Sequence, residues 1–459
     1  MTKASVYIET FGCQMNIADT ERALTRLREA GYALTESWET ADVVLFNTCS
    51  VRARAEQKVF NRIGEIRHAR GAVSSQTTSE TASEPLIGVM GCVAQLEGES
   101  IFAQAPAVRL VVGTRATDRL PSLIERVRSG ARTALDLGER AEGETWDVSP
   151  VERHSPHVAF VPVIEGCNKF CTYCIVPYSR GRERSRPAPE VVAQVERLRA
   201  EGFREVHLIG QNVNSYRPAN ESGLEKFKGA TPFSRLLRAV AATGMERIRF
   251  TTSFPRDFHT DIVAALEEHE NLCDWVHLPV QSGSDRVLRA MRRGYKAADY
   301  RARVEAIKNA RRRLSLTTDI IVGFPGETAE EFEETMRLVE YCQYDSIYIF
   351  KYSERPDTPA AKLPDDVSED EKRARFLALE RLQKGIQERV SAEYLGRTLS
   401  VLVERESTRS SSDLTGHSTC NRVLNFKGER GLLGKIVPVR VTGVKANSLY
   451  GEVSEGRAV

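Results

Sequence analysis

Signals for membranes or export are missing from this chain of 459 residues. No apolar run approaches the roughly 18 residues of a membrane span. The opening MTKASVYIET has no basic stretch leading into an apolar core, the layout of a signal peptide. The expectation is a cytoplasmic protein with no membrane contact. An excess of one charge is missing too: Lys plus Arg number 65 and Asp plus Glu 63, a net of +2. Any nucleic-acid binding must therefore come from local basic patches. The eight histidines form no H-x-x-x-H pair, which argues against a zinc hydrolase. No G-x-G-x-x-G opens a helix after a strand. The glycine-rich KGERGLLGKI puts Ile436 where a phosphate loop needs Ser or Thr.

What is present is cysteine. There are nine, an odd number, and their spacing is not that of a small secreted scaffold. In a reducing compartment, clustered cysteines point to metal binding or catalysis rather than disulfides.

The hydrophobic pattern divides the chain into three textures. Over about the first 125 residues, short apolar runs (SVYIETFG, DVVLFNT, PLIGVMG, VRLVVGT) alternate with helical patterns such as NIADTERALTRLREAG and RARAEQKVFNRIGEIRHA. That alternation implies a doubly wound parallel sheet. GAVSSQTTSETASE reads as a mobile surface insertion, and AEGETWDVSPVERHSP as a linker. Six further strand candidates follow: HVAFVPVI, EVHLIG, RIRFTTS, WVHLPV, LTTDIIVGF and SIYIFKYS. They imply a partial (β/α)6 barrel with its working groups at the C-terminal strand ends. After a charged helix from about Glu369 to Tyr394, LSVLVERE, GKIVPVRVTGV and LYGEVSE imply a small all-β barrel. The fold class is therefore α/β with an all-β appendage, divided at 1–140, 153–389 and 391–456.

Cys167, Cys171 and Cys174 fall in one loop, CNKFCTYC, as C-x3-C-x2-C after the first barrel strand. A closed zinc site takes four protein ligands, and a zinc knuckle completed from elsewhere is one reading. Three thiolates on an iron–sulfur cubane leave one iron open to a small molecule bearing an amine and a carboxylate. The loop in this setting resembles the radical S-adenosylmethionine superfamily, where that molecule is S-adenosylmethionine. Polar groups at the other strand ends fit such a cofactor: Gly210, Gln211 and Asn212, Thr252 and Ser253, Gln281, Ser282 and Gly283, and Asp319. The cofactor-binding candidates are Tyr173 of the loop, Gly210, Gln211, Ser253, Gln281 and Asp319.

Three other cysteines share a context. Cys13 follows SVYIETFG, Cys49 follows DVVLFNT and Cys92 follows PLIGVMG, each just past a parallel-strand end. One cysteine there would read as a buried small hydrophobe. Three in equivalent places imply a second iron–sulfur cluster in the crevice that such strand ends border. Cys273, Cys342 and Cys420 share no such pattern and read as structural.

The whole chain resembles the methylthiotransferases of the MiaB type. The resemblance rests on TFGCQMN, FNTCSVR, EGCNKFCTYCIVPYSRG, LIGQNVNSY, TTSFP, HLPVQSGSD, DIIVGFPGET, YSERPDTPAA and GHSTCNRVLNF. It implies an N-terminal three-cysteine domain, a radical S-adenosylmethionine core and a C-terminal TRAM domain. The implied reaction is methylthiolation of C2 of N6-isopentenyladenosine at position 37 of tRNA. Two 4Fe-4S clusters and S-adenosylmethionine are the implied cofactors. Implied partners are tRNA, an electron donor of flavodoxin or ferredoxin type, and sulfur- or cluster-supplying proteins. Alternatives are methylthiolation of a ribosomal-protein aspartate or of threonylcarbamoyl adenosine in tRNA, and an iron–sulfur RNA-binding regulator without turnover. TTSFP departs from the family at Phe254, where the resemblance implies histidine.

Two basic runs are candidates for RNA. YSRGRERSR carries Arg180, Arg182, Arg184 and Arg186 beside the cysteine loop and reads as a substrate or cofactor contact or as plain surface. ARRRL, with Arg311, Arg312 and Arg313, reads as a solvated helix end. The C-terminal segment from Ser391 is mildly basic, with ten basic and seven acidic side chains.

Overall fold

The computed structural model describes residues 3–50, 53–74, 84–140, 146, 153–408, 410 and 412–454. Positions 75–83 of the Ser/Thr-rich stretch, and 141–145 and 147–152 of the linker, lie outside the described residues. Two compact units emerge. The first comprises Met1–His154, Glu165–Asn168 and Ile175–Glu183, and the second the remainder.

The first unit is built on a six-stranded parallel sheet. Its strands are β1 (Lys3–Phe11), β2 (Tyr32–Leu34), β3 (Val43–Thr48), β4 (Leu86–Gly91), β5 (Val108–Val112) and β6 (Ala134–Asp136), in the order β2-β1-β3-β4-β5-β6. Helices α1 (Gln14–Glu29), α2 (Ala53–Ser74), α3 (Cys92–Glu97), α4 (Ser100–Gln104) and α5 (Leu120–Arg128) cover it. The alternation of β3 explains the double cover. Val43 and Leu45 join Val6, Leu110, Leu27 and Ile124 in one core, while Val44 and Phe46 join Ile87, Val89, Ile63 and Val93 in another. A sheet buried on both faces reads as continuous apolar runs, which is why β3 and β4 are so legible. The edge strands β2 and β6 have three residues each, too few for any periodicity to declare them.

The second unit contains the six expected strands: β7 (Val158–Pro162), β10 (Glu205–Ile209), β11 (Arg247–Phe250), β12 (Trp275–His277), β13 (Ser315–Val322) and β14 (Ser346–Lys351). The short strands β8 (Ile164–Glu165) and β9 (Arg184–Ser185) flank the cysteine loop in sequence, with α6 (Val176–Arg180) between them. Two parallel three-stranded sheets, β7-β10-β11 and β12-β13-β14, are linked by a bridge between Ile248 and Leu272. The result is an incomplete barrel. Helices α7 (Ala188–Ala200), α8 (Pro232–Ala241), α9 (Thr260–Glu268), α10 (Asp285–Ala290), α11 (Ala297–Lys308) and α12 (Ala329–Cys342) alternate with the strands, and α13 (Glu369–Ala392) ends the series.

Strands β15 (Thr398–Glu406), β16 (Asp413–Ser418), β17 (Val423–Lys427), β18 (Ile436–Lys445) and β19 (Ser448–Val453) close a small barrel. The polar β16, DLTGHS, and β17, VLNFK, lack the apolar runs that announce the other three. Arg249 of β11 ties the two barrels together. Its guanidinium donates to the Ser418 and Thr419 carbonyls and pairs with Glu205, which also holds Arg247. Burial alone would raise the Glu205 carboxyl, but Arg247 and Arg249 hold it well below its ordinary range. Cys273, Cys342 and Cys420 are buried, and burial raises each thiol, keeping it neutral. The arginines of ARRRL are occupied locally: Arg312 binds Asp274 and the carbonyls of Leu266, His269 and Leu272, and Arg313 pairs with Glu393.

Candidate functional site

Adjacent strands set the first cysteine trio side by side. Register pairs Phe11 of β1 with Thr48 of β3, and Thr48 with Gly91 of β4. Cys13 lies two positions beyond the first of these, and Cys49 and Cys92 one beyond the others. Their backbones thus form a row two strand spacings wide, about 10 Å. The chain also steps from β1 to β2 on one side and to β3 on the other, so the row sits at a topological switch point. Cys49 and Cys92 are buried, and Cys13 is exposed at the rim.

Two asparagines unmarked by the sequence reading hold this row. Asn16 donates from Nδ2 to Asn47 Oδ1 (3.1 Å) and to the Thr48 carbonyl (3.0 Å). Asn47 donates from Nδ2 to the Asn16 carbonyl (2.8 Å) and to Thr20 (2.9 Å). Asn16 Oδ1 in turn accepts from the Cys13 backbone N–H, closing the start of α1. Gly91 has φ +92°, and a Cβ there would stand 2.3 Å from Asn47 Oδ1 and 2.8 Å from the Thr48 carbonyl, so only glycine fits.

Arg180 completes the site. Its side chain is 3% exposed, pairs with Asp19 (2.6 Å) and stands 3.7 Å from Glu165, and its charge acts to lower the Cys92 thiol. Glu165 is also held by Arg140 at 2.7 Å. A hydrogen bond with Cys49, helped by the Arg180 charge, lowers the Cys13 thiol to about 5. Burial raises Cys92 despite Arg180. One arginine of the YSRGRERSR run is therefore part of this site. Arg186 is buried against Gln194, and Arg182 and Arg184 are exposed.

The second trio follows β7 and β8. Cys167 and Cys171 are buried and Cys174 is half-buried. Thr172 anchors the loop, donating through its N–H to the Met291 carbonyl (3.1 Å) and through its hydroxyl to the Ala290 carbonyl (2.9 Å). Lys169 pairs with Asp257 at 2.5 Å, and Ser215 donates to the same carboxylate at 2.7 Å. Burial opposes the Asp257 charge, but these partners hold its carboxyl below the ordinary range.

Arg293 is a third residue that sequence reasoning missed. Buried at 5% exposure, it donates from Nη1 toward Cys171 Sγ (3.5 Å) and the Tyr173 hydroxyl (3.3 Å). Nε donates to the Tyr295 hydroxyl (3.0 Å) and Nη2 to the Pro279 carbonyl (2.8 Å). Its guanidinium lies over the Phe254 ring, 4.5 Å from the centroid, and Phe254 is 2% exposed. Phe254 is thus an aromatic platform for a buried cation. Burial raises the Tyr173 phenol well above its ordinary range, so it stays protonated.

The other cofactor candidates occupy the barrel strand ends. Gln211 Oε1, Ser253 Oγ and the nearby Thr251 Oγ1 are buried with no hydrogen-bond partner among the described residues. Such orphans are costly without a polar ligand. Thr252 and Gln281 have φ of +70° and +75°, a strained backbone typical of functional strand ends. Asp319 stands 3.5 Å from His277 Nε2, whose Nδ1 meets the Thr317 hydroxyl at 3.0 Å. Gly210 has a packing cause, since a Cβ would meet the Ile164 carbonyl at 2.7 Å. Gly283 and Ser282 are turned to Thr335 of α12.

Among the described residues no three His, Cys, Asp or Glu side chains converge as they would around one metal ion. An iron–sulfur cluster takes each thiolate on a different iron, so it asks for a wider spacing, and the soft thiolate set suits iron–sulfur chemistry. In the second unit, the orphaned acceptors suit the polar groups of S-adenosylmethionine.

The chain matches three family models: Radical SAM superfamily over residues 161–339, Uncharacterized protein family UPF0004 over 5–113, and TRAM domain over 392–454. It is 46% identical over 451 residues to tRNA-2-methylthio-N(6)-dimethylallyladenosine synthase of Solibacter usitatus, covering 97% of each chain. It is 44% identical to the synthase of that name from Serratia proteamaculans, covering 99% of this chain and 93% of the relative. Among solved structures, the radical S-adenosylmethionine methyltransferase TsrM of Kitasatospora setae superposes with a TM-score of 0.55 at 14% identity, covering 78% of this chain and 75% of that one, a likeness of fold.

Proposed function

Because this chain belongs to the tRNA-2-methylthio-N(6)-dimethylallyladenosine synthase family, we propose that it methylthiolates C2 of N6-isopentenyladenosine at position 37 of tRNA. It is a radical S-adenosylmethionine enzyme transferring a sulfur-containing group. The observation that carries the reading is the pair of three-cysteine sites, each with a buried arginine whose charge acts on one sulfur.

The target explains the need for two sites. C2 of adenine carries no acidic proton, so general acid–base catalysis has nothing to remove. When bound, the iron–sulfur group at Cys167, Cys171 and Cys174 with S-adenosylmethionine supplies a 5′-deoxyadenosyl radical able to take that hydrogen. Gln211, Ser253 and Asp319 would hold the amine, carboxylate and ribose groups of the cofactor. Gly210, Gln281 and Tyr173 shape the same strand-end surface. The buried Phe254 and Tyr295 and the half-buried Tyr173 keep water from the loop. Cys13, Cys49 and Cys92 would hold a second cluster, which would supply the sulfur to be transferred. Asn16 and Asn47 keep those three turns in register, and Arg180, its charge matched by Asp19, packs beside them.

The substrate base leaves its stack to reach such a site, and phosphate contacts give tRNA affinity its salt dependence. We assign 1–140 to the sulfur-carrying site, 153–389 to cofactor cleavage and 391–456 to RNA contact. A cytoplasmic location, a flavodoxin- or ferredoxin-type electron donor and sulfur-supplying proteins complete the proposal. Among the described residues no helix is long and apolar enough to cross a membrane. Anaerobic incubation of the iron-loaded chain with isopentenylated tRNA, S-adenosylmethionine and dithionite, followed by nucleoside mass spectrometry, tests it. A methylthio adduct on the isopentenyl adenosine is expected. 5′-Deoxyadenosine without the adduct would reopen the substrate.

A further inference from the structure

We propose that Arg293 raises the reduction potential of the iron–sulfur group held by Cys167, Cys171 and Cys174, and that Phe254 is the platform that keeps it in place. The inference rests on the reading of those cysteines as ligands given above. Its basis is an imbalance of charge. Arg293 is buried, and its hydrogen bonds go to neutral acceptors: the Tyr295 and Tyr173 hydroxyls and the Pro279 carbonyl. No carboxylate lies within 4.0 Å of it among the described residues. Its remaining contacts are the Cys171 sulfur at 3.5 Å and the faces of Phe254 and Tyr295.

A buried cation without an anion is costly, so the set is balanced when the sulfur carries negative charge. Each electron accepted by a thiolate-bound cluster makes it one unit more negative. A fixed guanidinium, and its N–H aimed at a ligand sulfur, stabilise the reduced form more than the oxidised one. The other donors are already committed, which sets Arg293 apart from Gln211 and Ser253, whose oxygens are free for a cofactor.

Phe254 bears on the same balance. Lys169, Arg256 and Arg293 all lie over its ring within 5.5 Å of the centroid. A histidine there could take up a proton and repel these cations, whereas phenylalanine cannot.

The test uses the full chain with Cys13, Cys49 and Cys92 changed to Ala, so that only the barrel cluster is read. Iron content is measured first, and the cluster is then titrated with dithionite under EPR without S-adenosylmethionine. Arg293→Met is expected to make reduction at least tenfold less favourable, a shift of about 59 mV to lower potential for one electron. Arg293→Lys should fall between, and Phe254→Leu should shift the same way by less. An Arg293→Met protein with full iron and the parent potential would overturn the proposal. If Arg293→Met does not load iron, Arg293→Lys and Phe254→Leu decide, and parent potentials in both overturn it. Failure of the parent to lose barrel iron on Cys171→Ala would instead strike at the ligand reading.

Discussion

Both cysteine trios place a buried arginine against one sulfur, and the two arginines live in opposite surroundings. Arg180, beside Cys92, is matched by Asp19 and stands near Glu165, itself held by Arg140. Arg293, beside Cys171, has hydroxyls, a carbonyl and aromatic faces for company. The first site is neutralised by the protein and the second keeps a net positive charge. A site that must accept an electron gains from uncompensated positive charge, while a site that stores sulfur needs only to hold its anions without strain. On the function proposed above, the same residue type would serve two ends, and its carboxylate neighbours would decide which.

The largest effects test the division of labour. Cys171→Ala should abolish 5′-deoxyadenosine formation, whereas Cys49→Ala should leave some cleavage and abolish methylthiolation of tRNA. Equal loss of cleavage in both variants would break the comparison. Stability should separate the arginines next. Arg180→Met removes the partner of the buried Asp19, while Glu165 keeps Arg140, and should cost about 3–5 kcal/mol in denaturant unfolding of the metal-free chain. Arg293→Met loses hydrogen bonds to neutral groups, worth about 1–3 kcal/mol, but also relieves a buried cation that has no anion, so it should cost clearly less than Arg180→Met. The reverse order would mean that Arg180 is not charge-paired as drawn. Asn47→Ala leaves Asn16 without one partner and should cost about 1–3 kcal/mol, with iron lost from the first trio and retained at the second.

How much of this could be read beforehand followed from how local each signal is. The six cysteines announced themselves because a parallel strand ends visibly, and a cysteine just past its end is in the next residue or two. The barrel loop carries all three of its cysteines within eight residues. Asn16 and Asn47 looked like ordinary turn or cap residues, since their partnership spans 31 positions and depends on β1 and β3 being neighbours. Arg293 reaches Cys171 across 122 positions, and nothing in the run MRRGY separates it from a surface arginine. The run YSRGRERSR was read as one patch, yet α6 turns Arg180 inward and leaves Arg182 and Arg184 exposed. Charge runs show composition; only the fold shows direction.

Acid should pull the two sites apart in the smallest but sharpest test. Asp257, which anchors the barrel loop through Lys169, titrates below its ordinary value near 3.9. Its contribution to stability is therefore present above about 3.9 and is lost as pH falls through its lowered value. Asp19 is raised, because burial and the nearby Glu165 outweigh Arg180. Its contribution is fully present below about 3.9 and is lost as pH rises through the raised value. Native-state hydrogen exchange of the wild type against Asp257→Asn and Asp19→Asn, from about pH 3 to 6, reads both slopes. The advantage of wild type over Asp257→Asn should shrink on acidification, and its standing relative to Asp19→Asn should improve. Slopes of the same sign would show that the carboxylates of the two sites feel the same field, and the contrast drawn from Arg180 and Arg293 would fall with them.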